Sequence, residues 1–103
     1  MLALVTIEGL TKRFPKQAEP ALRSVSTQIR SGHIVGLVGP DGSGKTTFLR
    51  LIAGLLRADE GGIDVGGFDP VANAKEVRAR IAYMPQRFGL YEDLSVEENL
   101  NLY

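Results

Sequence analysis

The chain has 103 residues, enough for one domain with a modest hydrophobic core. Its twelve basic and twelve acidic side chains offer no basic field for nucleic acid and no polybasic membrane anchor. Because cysteine is absent, disulfides and thiolate metal sites are excluded. Apolar runs are too short to cross a bilayer, and the first residues lack the basic flank of a secretory signal, so a soluble intracellular chain is expected.

The first thirty residues contain two stretches in which apolar and polar side chains alternate. Val5 and Ile7 alternate with polar neighbours, and Val25, Thr27 and Ile29 form one face of the second stretch. A period of two predicts two antiparallel strands, each with one covered face.

An uninterrupted apolar stretch over residues 34–38 predicts a buried parallel strand. Residues 45–56 then follow the 3.6-residue period of a helix that faces the core. The predicted apolar stripe of that helix comprises Phe48, Leu49, Ile52, Leu55 and Leu56.

The second half of the chain predicts two further strands and two helices. Residues 63–65 and 81–84 are short apolar strands, the second of them ended by a proline. Asp69 and Pro70 supply an N-cap and a first-turn proline for a helix that ends near residue 78. Ser95, with a glutamate three positions later, forms a capping box that opens the last helix.

Residues 39–46 read Gly-Pro-Asp-Gly-Ser-Gly-Lys-Thr and match the pattern G-x-x-x-x-G-K-[ST] between a predicted strand and a predicted helix. In that context the main-chain N–H groups and the helix N-terminus attract an anion. Lys45 can reach β- and γ-phosphate oxygens, and the Thr46 hydroxyl can ligate Mg²⁺. The alternative is an ordinary glycine-rich turn, which would not require Lys-Thr after its last glycine. The segment therefore predicts nucleoside triphosphate binding.

The elements around this loop favour one family of nucleotide hydrolases. Two antiparallel strands before the loop disfavour a small-molecule kinase, and residues 73–76 do not supply the guanine-reading motif of a GTPase. The arrangement resembles the ATP-binding cassette (ABC) family. Residues 10–14 are similar to its adenine-stacking segment, 53–61 to its helix end and turn, and 83–86 to its glutamine loop. Residues 88–100 resemble ABC-2-type multidrug and antibiotic-resistance exporters.

The resemblance implies an α/β fold, in which a P-loop NTPase core with a partial parallel sheet and helices is preceded by a small antiparallel β subdomain. The antiparallel strands are expected over residues 2–31, the P-loop core over 34–58 and the glutamine-loop region over 80–103. The family's signature, Walker B strand and switch histidine are absent from the sequence, so a chain truncated before them is expected. Such a chain is expected to be marginally stable and inactive alone.

The residues expected to bind ATP are taken from the P-loop and from the aromatic segment before it. They are Phe14, Gly39, Pro40, Asp41, Gly42, Ser43, Gly44, Lys45, Thr46 and Thr47. The resemblance assigns Mg²⁺ to Thr46 and Gln86. Phe14 would stack on adenine, the alternative being that it covers the edge of the sheet. For Gln86 the alternative is a solvated polar loop residue.

The resemblance implies an ATPase that powers export by a membrane subunit in the full-length protein. Its expected partners are a second nucleotide-binding domain and that membrane subunit, which would contact residues 86–93, without nucleic acid. Phe88, Leu90 and Tyr91 in this region are either a docking patch or core. The protein is expected in the cytoplasm, bound to the inner face of the cell membrane through its membrane partner. The alternatives are a non-catalytic nucleotide-binding module and a soluble ABC protein that does not transport.

Overall fold

The computed structural model of the chain describes residues 3–84 and 95–97. Three strands and two helices form within residues 3–84. In chain order these are β1 (Ala3–Lys12), β2 (Leu22–Arg30), α1 (Lys45–Ile52), β3 (Glu60–Val65) and α2 (Ala74–Arg78). No helix of this part of the chain has the length and hydropathy that a membrane span needs.

The three strands form one antiparallel sheet in the order β2–β1–β3. Val5 of β1 lies opposite Ile29 of β2 and Val65 of β3, and Ile7 lies opposite Ile63 of β3. The two predicted antiparallel strands are therefore present. The third strand begins at residue 60, three residues earlier than the apolar pattern indicates, and joins the same sheet.

The sheet and both helices bury one apolar cluster. It comprises Val5, Ile7, Leu10, Leu22, Phe48, Leu51, Val65 and Val77. Full burial of a side chain of this size stabilises a fold by about 1.5–3 kcal/mol. Because Phe48 and Leu51 belong to α1, this cluster fixes the helix that follows the P-loop against the sheet.

Helix α1 is shorter than predicted, and part of its predicted stripe is wrong. Leu51 is buried, whereas Leu49 is 47% exposed and Leu55 is 54% exposed. The helix ends at Ile52 because Gly54 adopts a φ of 78°, a left-handed conformation that glycine accepts readily. The N–H of Leu55 then donates to the carbonyl of Arg50 at 2.9 Å, the Schellman geometry of a helix end.

The predicted parallel strand over residues 34–38 does not form. Ile34 and Val38 are fully or almost fully exposed, and Val35 and Leu37 are more than two-fifths exposed. The strands of the described residues pair only with one another, so none of them satisfies the N–H and C=O groups of this stretch. An apolar run without a hydrogen-bonding neighbour gains little from extending as a strand. The predicted strand at residues 81–84 is likewise not formed.

The predicted helix after Asp69 begins later than expected, at Ala74. The Asp69 carboxylate accepts the N–H groups of Val71 at 2.7 Å and Ala72 at 2.9 Å, so it caps a preceding turn instead. Residues 96 and 97 are helical, as the capping box predicts. The rest of that predicted helix lies outside the described residues, as do Gln86 and the region of residues 86–93.

Candidate nucleotide-binding site

The P-loop connects the exposed segment at residues 34–38 to helix α1, which packs on the core through Phe48 and Leu51. Its backbone turns back on itself, with the N–H of Ser43 donating to the carbonyl of Pro40 at 3.2 Å. Gly42 and Gly44 have φ angles of 82° and 98°, which residues with a Cβ rarely adopt. The loop is therefore built on glycine conformations, and it ends where α1 starts at Lys45.

Gly44 also lies against the connection between β1 and β2. A Cβ on Gly44 would meet the carbonyl oxygen of Ala21 at 2.6 Å and the side chain of Leu22 at 2.9 Å. Gly39 is confined as well, because its Cβ would lie 2.7 Å from the Ser43 hydroxyl. Any larger residue at Gly44 would separate the P-loop from the β1–β2 connection.

Lys45 is half-buried, and its ammonium group lies over the loop. It donates to the carbonyl of Gly39, to the carbonyl of Pro40 at 2.8 Å and towards the Ser43 hydroxyl at 3.5 Å. A positive charge is therefore held at the centre of the loop by neutral acceptors. Phosphate oxygens, which are anionic, are stronger acceptors for such a group.

The N-terminus of α1 is arranged for an anion. Gly44 is the N-cap and provides no side-chain acceptor, and the first turn contains no acidic residue. The first N–H groups of a helix lack partners within the helix and carry a partial positive charge. Thr46 and Thr47, both half-buried, place hydroxyl groups in this first turn.

A cleft of about 690 Å³ joins the P-loop to the β1–β2 connection. Its lining residues are Phe14, Gln17, Glu19, Pro20, Ala21, Asp41, Gly42, Ser43, Gly44, Lys45, Thr46 and Thr47. The volume falls within the range of small-molecule and cofactor sites. Phe14 and the P-loop therefore share one cavity, whereas Gly39 and Pro40 contact Lys45 without lining it.

Several lining residues were not predicted from the sequence. Gln17, Glu19, Pro20 and Ala21 belong to the connection between β1 and β2. The available signal was the pair of prolines at positions 15 and 20, which bracket this connection. Its ends are closed by the N–H of Ala21, which donates to the carbonyl of Lys12 at 2.8 Å.

The polar groups and the aromatic ring that line the cleft fit a nucleoside triphosphate. Its lining combines the Lys45 ammonium, the N-terminus of α1, three hydroxyl side chains and the Phe14 ring, and it also includes the carboxylates of Glu19 and Asp41. Within residues 3–84 and 95–97, no group of three histidine, cysteine or acidic side chains could hold a metal ion by itself. The hydroxyl group of Thr46 lines the cleft and is an oxygen ligand of the kind that Mg²⁺ accepts.

Comparison with known proteins shows the family of this chain. The sequence profile of the ABC transporter family matches residues 22–102, which include the whole P-loop. The chain belongs to the ABC transporter family. A probable multidrug ABC transporter ATP-binding protein of Escherichia coli is 54% identical over 101 residues, covering 98% of this chain. A sulfate/thiosulfate import ATP-binding protein of Agrobacterium fabrum is 42% identical over 97 residues and covers 93%.

Solved ABC cassettes share the fold. A dimeric cassette in a post-hydrolysis state, bound to ADP and Pi, superposes with a TM-score of 0.82 at 30% identity and covers 95% of this chain. These cassettes confirm the predicted α/β fold class, a P-loop core with a partial parallel sheet preceded by a small antiparallel subdomain. Within the described residues, all strand pairs are antiparallel. The chain spans 18% of the length of the E. coli relative, 27% of the A. fabrum relative and 45% of the solved cassette.

Proposed function

We propose that this chain binds ATP together with Mg²⁺ and forms the Walker A and glutamine-loop half of an ABC transporter ATPase. In the intact protein, this ATPase hydrolyses ATP and thereby powers export by an associated membrane subunit. The observation that supports this most directly is the shared cleft, in which Lys45, the N-terminus of α1 and the Phe14 ring face one cavity. The relatives, which are named ATP-binding proteins, support ATP as the nucleotide.

Different groups of the P-loop bind different parts of the triphosphate. The main-chain N–H groups from Gly42 to Thr46 surround the phosphates, since they lie at the turn and at the N-terminus of α1. Lys45 exchanges the loop carbonyls for β- and γ-phosphate oxygens, a charge-assisted contact of about 1.5–3 kcal/mol. The Thr46 hydroxyl ligates Mg²⁺, and the Thr47 hydroxyl lies near the α-phosphate.

Phe14 provides the surface on which adenine stacks. The ring lies in the cleft with the P-loop, and the Lys12 ammonium is 5.4 Å from its centroid. Stacking of a base on an aromatic ring contributes about 1–3 kcal/mol. Because the ring lines the cleft and is only partly buried, its position supports stacking over a purely structural role at the edge of the sheet.

Two roles concern residues outside the described part of the chain. Gln86 contacts Mg²⁺ and the attacking water through its amide, which can both accept and donate. Residues 86–93 contact the membrane subunit and keep the protein at the inner face of the cell membrane. A second nucleotide-binding domain supplies the groups that complete the ATP site.

The relatives bear on the direction of transport. The multidrug relative has the higher identity, 54%, but the sulfate/thiosulfate import relative still reaches 42%. The greater similarity to the multidrug protein supports export.

Lys45→Ala is the test of the proposed site. The variant removes the ammonium group at the centre of the P-loop, so ATP affinity should fall by at least about tenfold and ATP turnover should be lost. Calorimetry with Mg-ATP and a phosphate-release assay on the intact gene product measure both. Lys75→Ala, which removes an exposed lysine of α2 outside the cleft, is the matched control and should behave as the wild type.

Normal turnover by Lys45→Ala would contradict the proposal. Tight ATP binding by the wild type without any turnover would instead favour a non-catalytic nucleotide-binding module.

A further inference from the structure

Asp59, which lies outside the cleft, binds the backbone of the segment that leads to Phe14. Its carboxylate accepts the N–H of Arg13 at 2.6 Å, although the two residues are 46 positions apart in sequence. Its own N–H donates to the carbonyl of Thr11 at 3.0 Å. Asp59 therefore holds the chain on both sides of Lys12, immediately before the aromatic residue.

Lys12 adds a second connection between the same two segments. Its ammonium donates to the carbonyl of Arg57 at 2.9 Å and lies 4.0 Å from the Asp59 carboxylate. It also lies 5.4 Å from the centroid of the Phe14 ring, within range of a cation–π contact. Only 16% of the Lys12 side chain is exposed, so this arrangement is partly shielded from solvent.

Residues 57–59, which contact the segment before Phe14, follow closely after α1, the helix at the end of the P-loop. Helix α1 begins at Lys45 and ends at Ile52, and residues 57–59 follow after a short turn. Ala21, which lines the cleft, packs against Gly44 and donates its N–H to the carbonyl of Lys12. The position of Phe14 relative to the P-loop is thus set from two sides, and Asp59 determines one of them.

We infer that Asp59 is a positioning residue that holds Phe14 at the distance from the P-loop at which a base and its phosphates bind together. Through it the site favours a nucleoside triphosphate over a bare polyphosphate. This inference rests on the proposed function, because it requires Phe14 to contact the base.

The experiment compares two ligands, Mg-ATP and Mg-tripolyphosphate, by calorimetry on the intact gene product. Asp59→Ala should weaken ATP binding by about fivefold to tenfold, because the hydrogen bond that the Arg13 N–H donates to a charged acceptor is lost from a partly exposed site. Tripolyphosphate binding should stay within about twofold of the wild type, because that ligand has no base. Asp59→Asn keeps an oxygen acceptor and should restore most of the ATP affinity.

Glu60→Ala is the matched control. The Glu60 carboxylate pairs with the Arg13 guanidinium at 2.8 Å, and both side chains are more than half exposed. Glu60→Ala removes this neighbouring acidic group and leaves the hydrogen bond between Asp59 and the Arg13 N–H in place. The affinities for Mg-ATP and for Mg-tripolyphosphate should therefore stay within about twofold of the wild type. A double variant, Phe14→Ala with Asp59→Ala, should bind ATP no more weakly than Phe14→Ala alone, since the two residues act through one contact.

Equal losses for both ligands in Asp59→Ala would overturn the inference, as would unchanged ATP affinity or additive effects in the double variant. If Asp59→Ala does not fold, Asp59→Asn decides by the same comparison: a small loss confined to ATP supports the inference, and any other result overturns it. Failure of the wild type to bind either ligand would remove the proposed function itself. If the wild type binds both ligands and Asp59→Ala loses affinity equally for both, only the role of Asp59 is removed and the proposed function stands.

Discussion

Strand β1 and the segment at residues 34–38 are both rich in valine, isoleucine and leucine, yet their surroundings differ. Ile7 and Leu10 of β1 are 1% and 0% exposed, whereas Ile34 is fully exposed and Val38 is 94% exposed. Strand β1 has a hydrogen-bonded neighbour on each side, and the segment has none within the described residues. Apolar composition therefore leads to a buried strand only where another strand satisfies the backbone N–H and C=O groups.

The P-loop lies between these two kinds of structure. The segment before the loop is exposed, while the helix after it is packed through Phe48 and Leu51. The loop also contacts the β1–β2 connection where Gly44 approaches Ala21. Within residues 3–84 and 95–97, the contacts that hold the loop therefore lie on its C-terminal side. Substitutions on either side of the loop test this difference.

The largest effect is expected from shortening a side chain in the paired region. Leu10→Ala removes buried methyl groups and should lower the free energy of unfolding by about 2–5 kcal/mol. Val38→Ala is the matched control in the exposed segment and should change it by no more than about 0.5 kcal/mol. Urea denaturation followed by circular dichroism measures both. Comparable losses would show that residues 34–38 are buried in solution and would break the comparison.

A smaller effect is expected at the C-terminal side of the P-loop. Gly44→Ala places a Cβ at a φ of 98° and 2.6 Å from the carbonyl of Ala21, so strain and overlap should cost about 1–3 kcal/mol. Gly36→Ala is the control on the N-terminal side, where a Cβ would have no neighbour within 4 Å. Thermal unfolding of both variants provides the measurement. If Gly36→Ala proved as destabilising as Gly44→Ala, the loop would not be positioned mainly from its C-terminal side.

The smallest of these effects is expected at Thr11, a buried polar residue of β1. Its hydroxyl accepts the N–H of Ser24 at 2.9 Å, at a point where the β1–β2 register shifts. Thr11→Val leaves that N–H without its acceptor and should cost about 1 kcal/mol. Thr27→Val, at an exposed position of β2, should remain within about 0.5 kcal/mol of the wild type. Chemical denaturation resolves this difference, and equal values would show that the Thr11 contact contributes nothing.

The sequence predicted elements best where local signals agreed with their neighbours. The alternation around Val5 and Ile7 predicted a strand whose partners are present, and Lys45 opens α1 as expected. The end of α1 was misjudged because the apolar period continues through Leu55, although Gly54 was an available stop signal. Asp69 was assigned to the helix cap, but it caps the turn before that helix.

The chemistry of the P-loop was determined by the sequence alone, because contiguous residues supply its glycines, its ammonium group and the helix start. Only the tertiary structure decided that Phe14 shares a cleft with this loop and that Asp59 holds the chain beside it. Asp59 and Arg13 lie 46 positions apart, and no local pattern encodes such a contact. It arises because β3 pairs with β1 and brings the end of the α1 connection to the start of the aromatic segment.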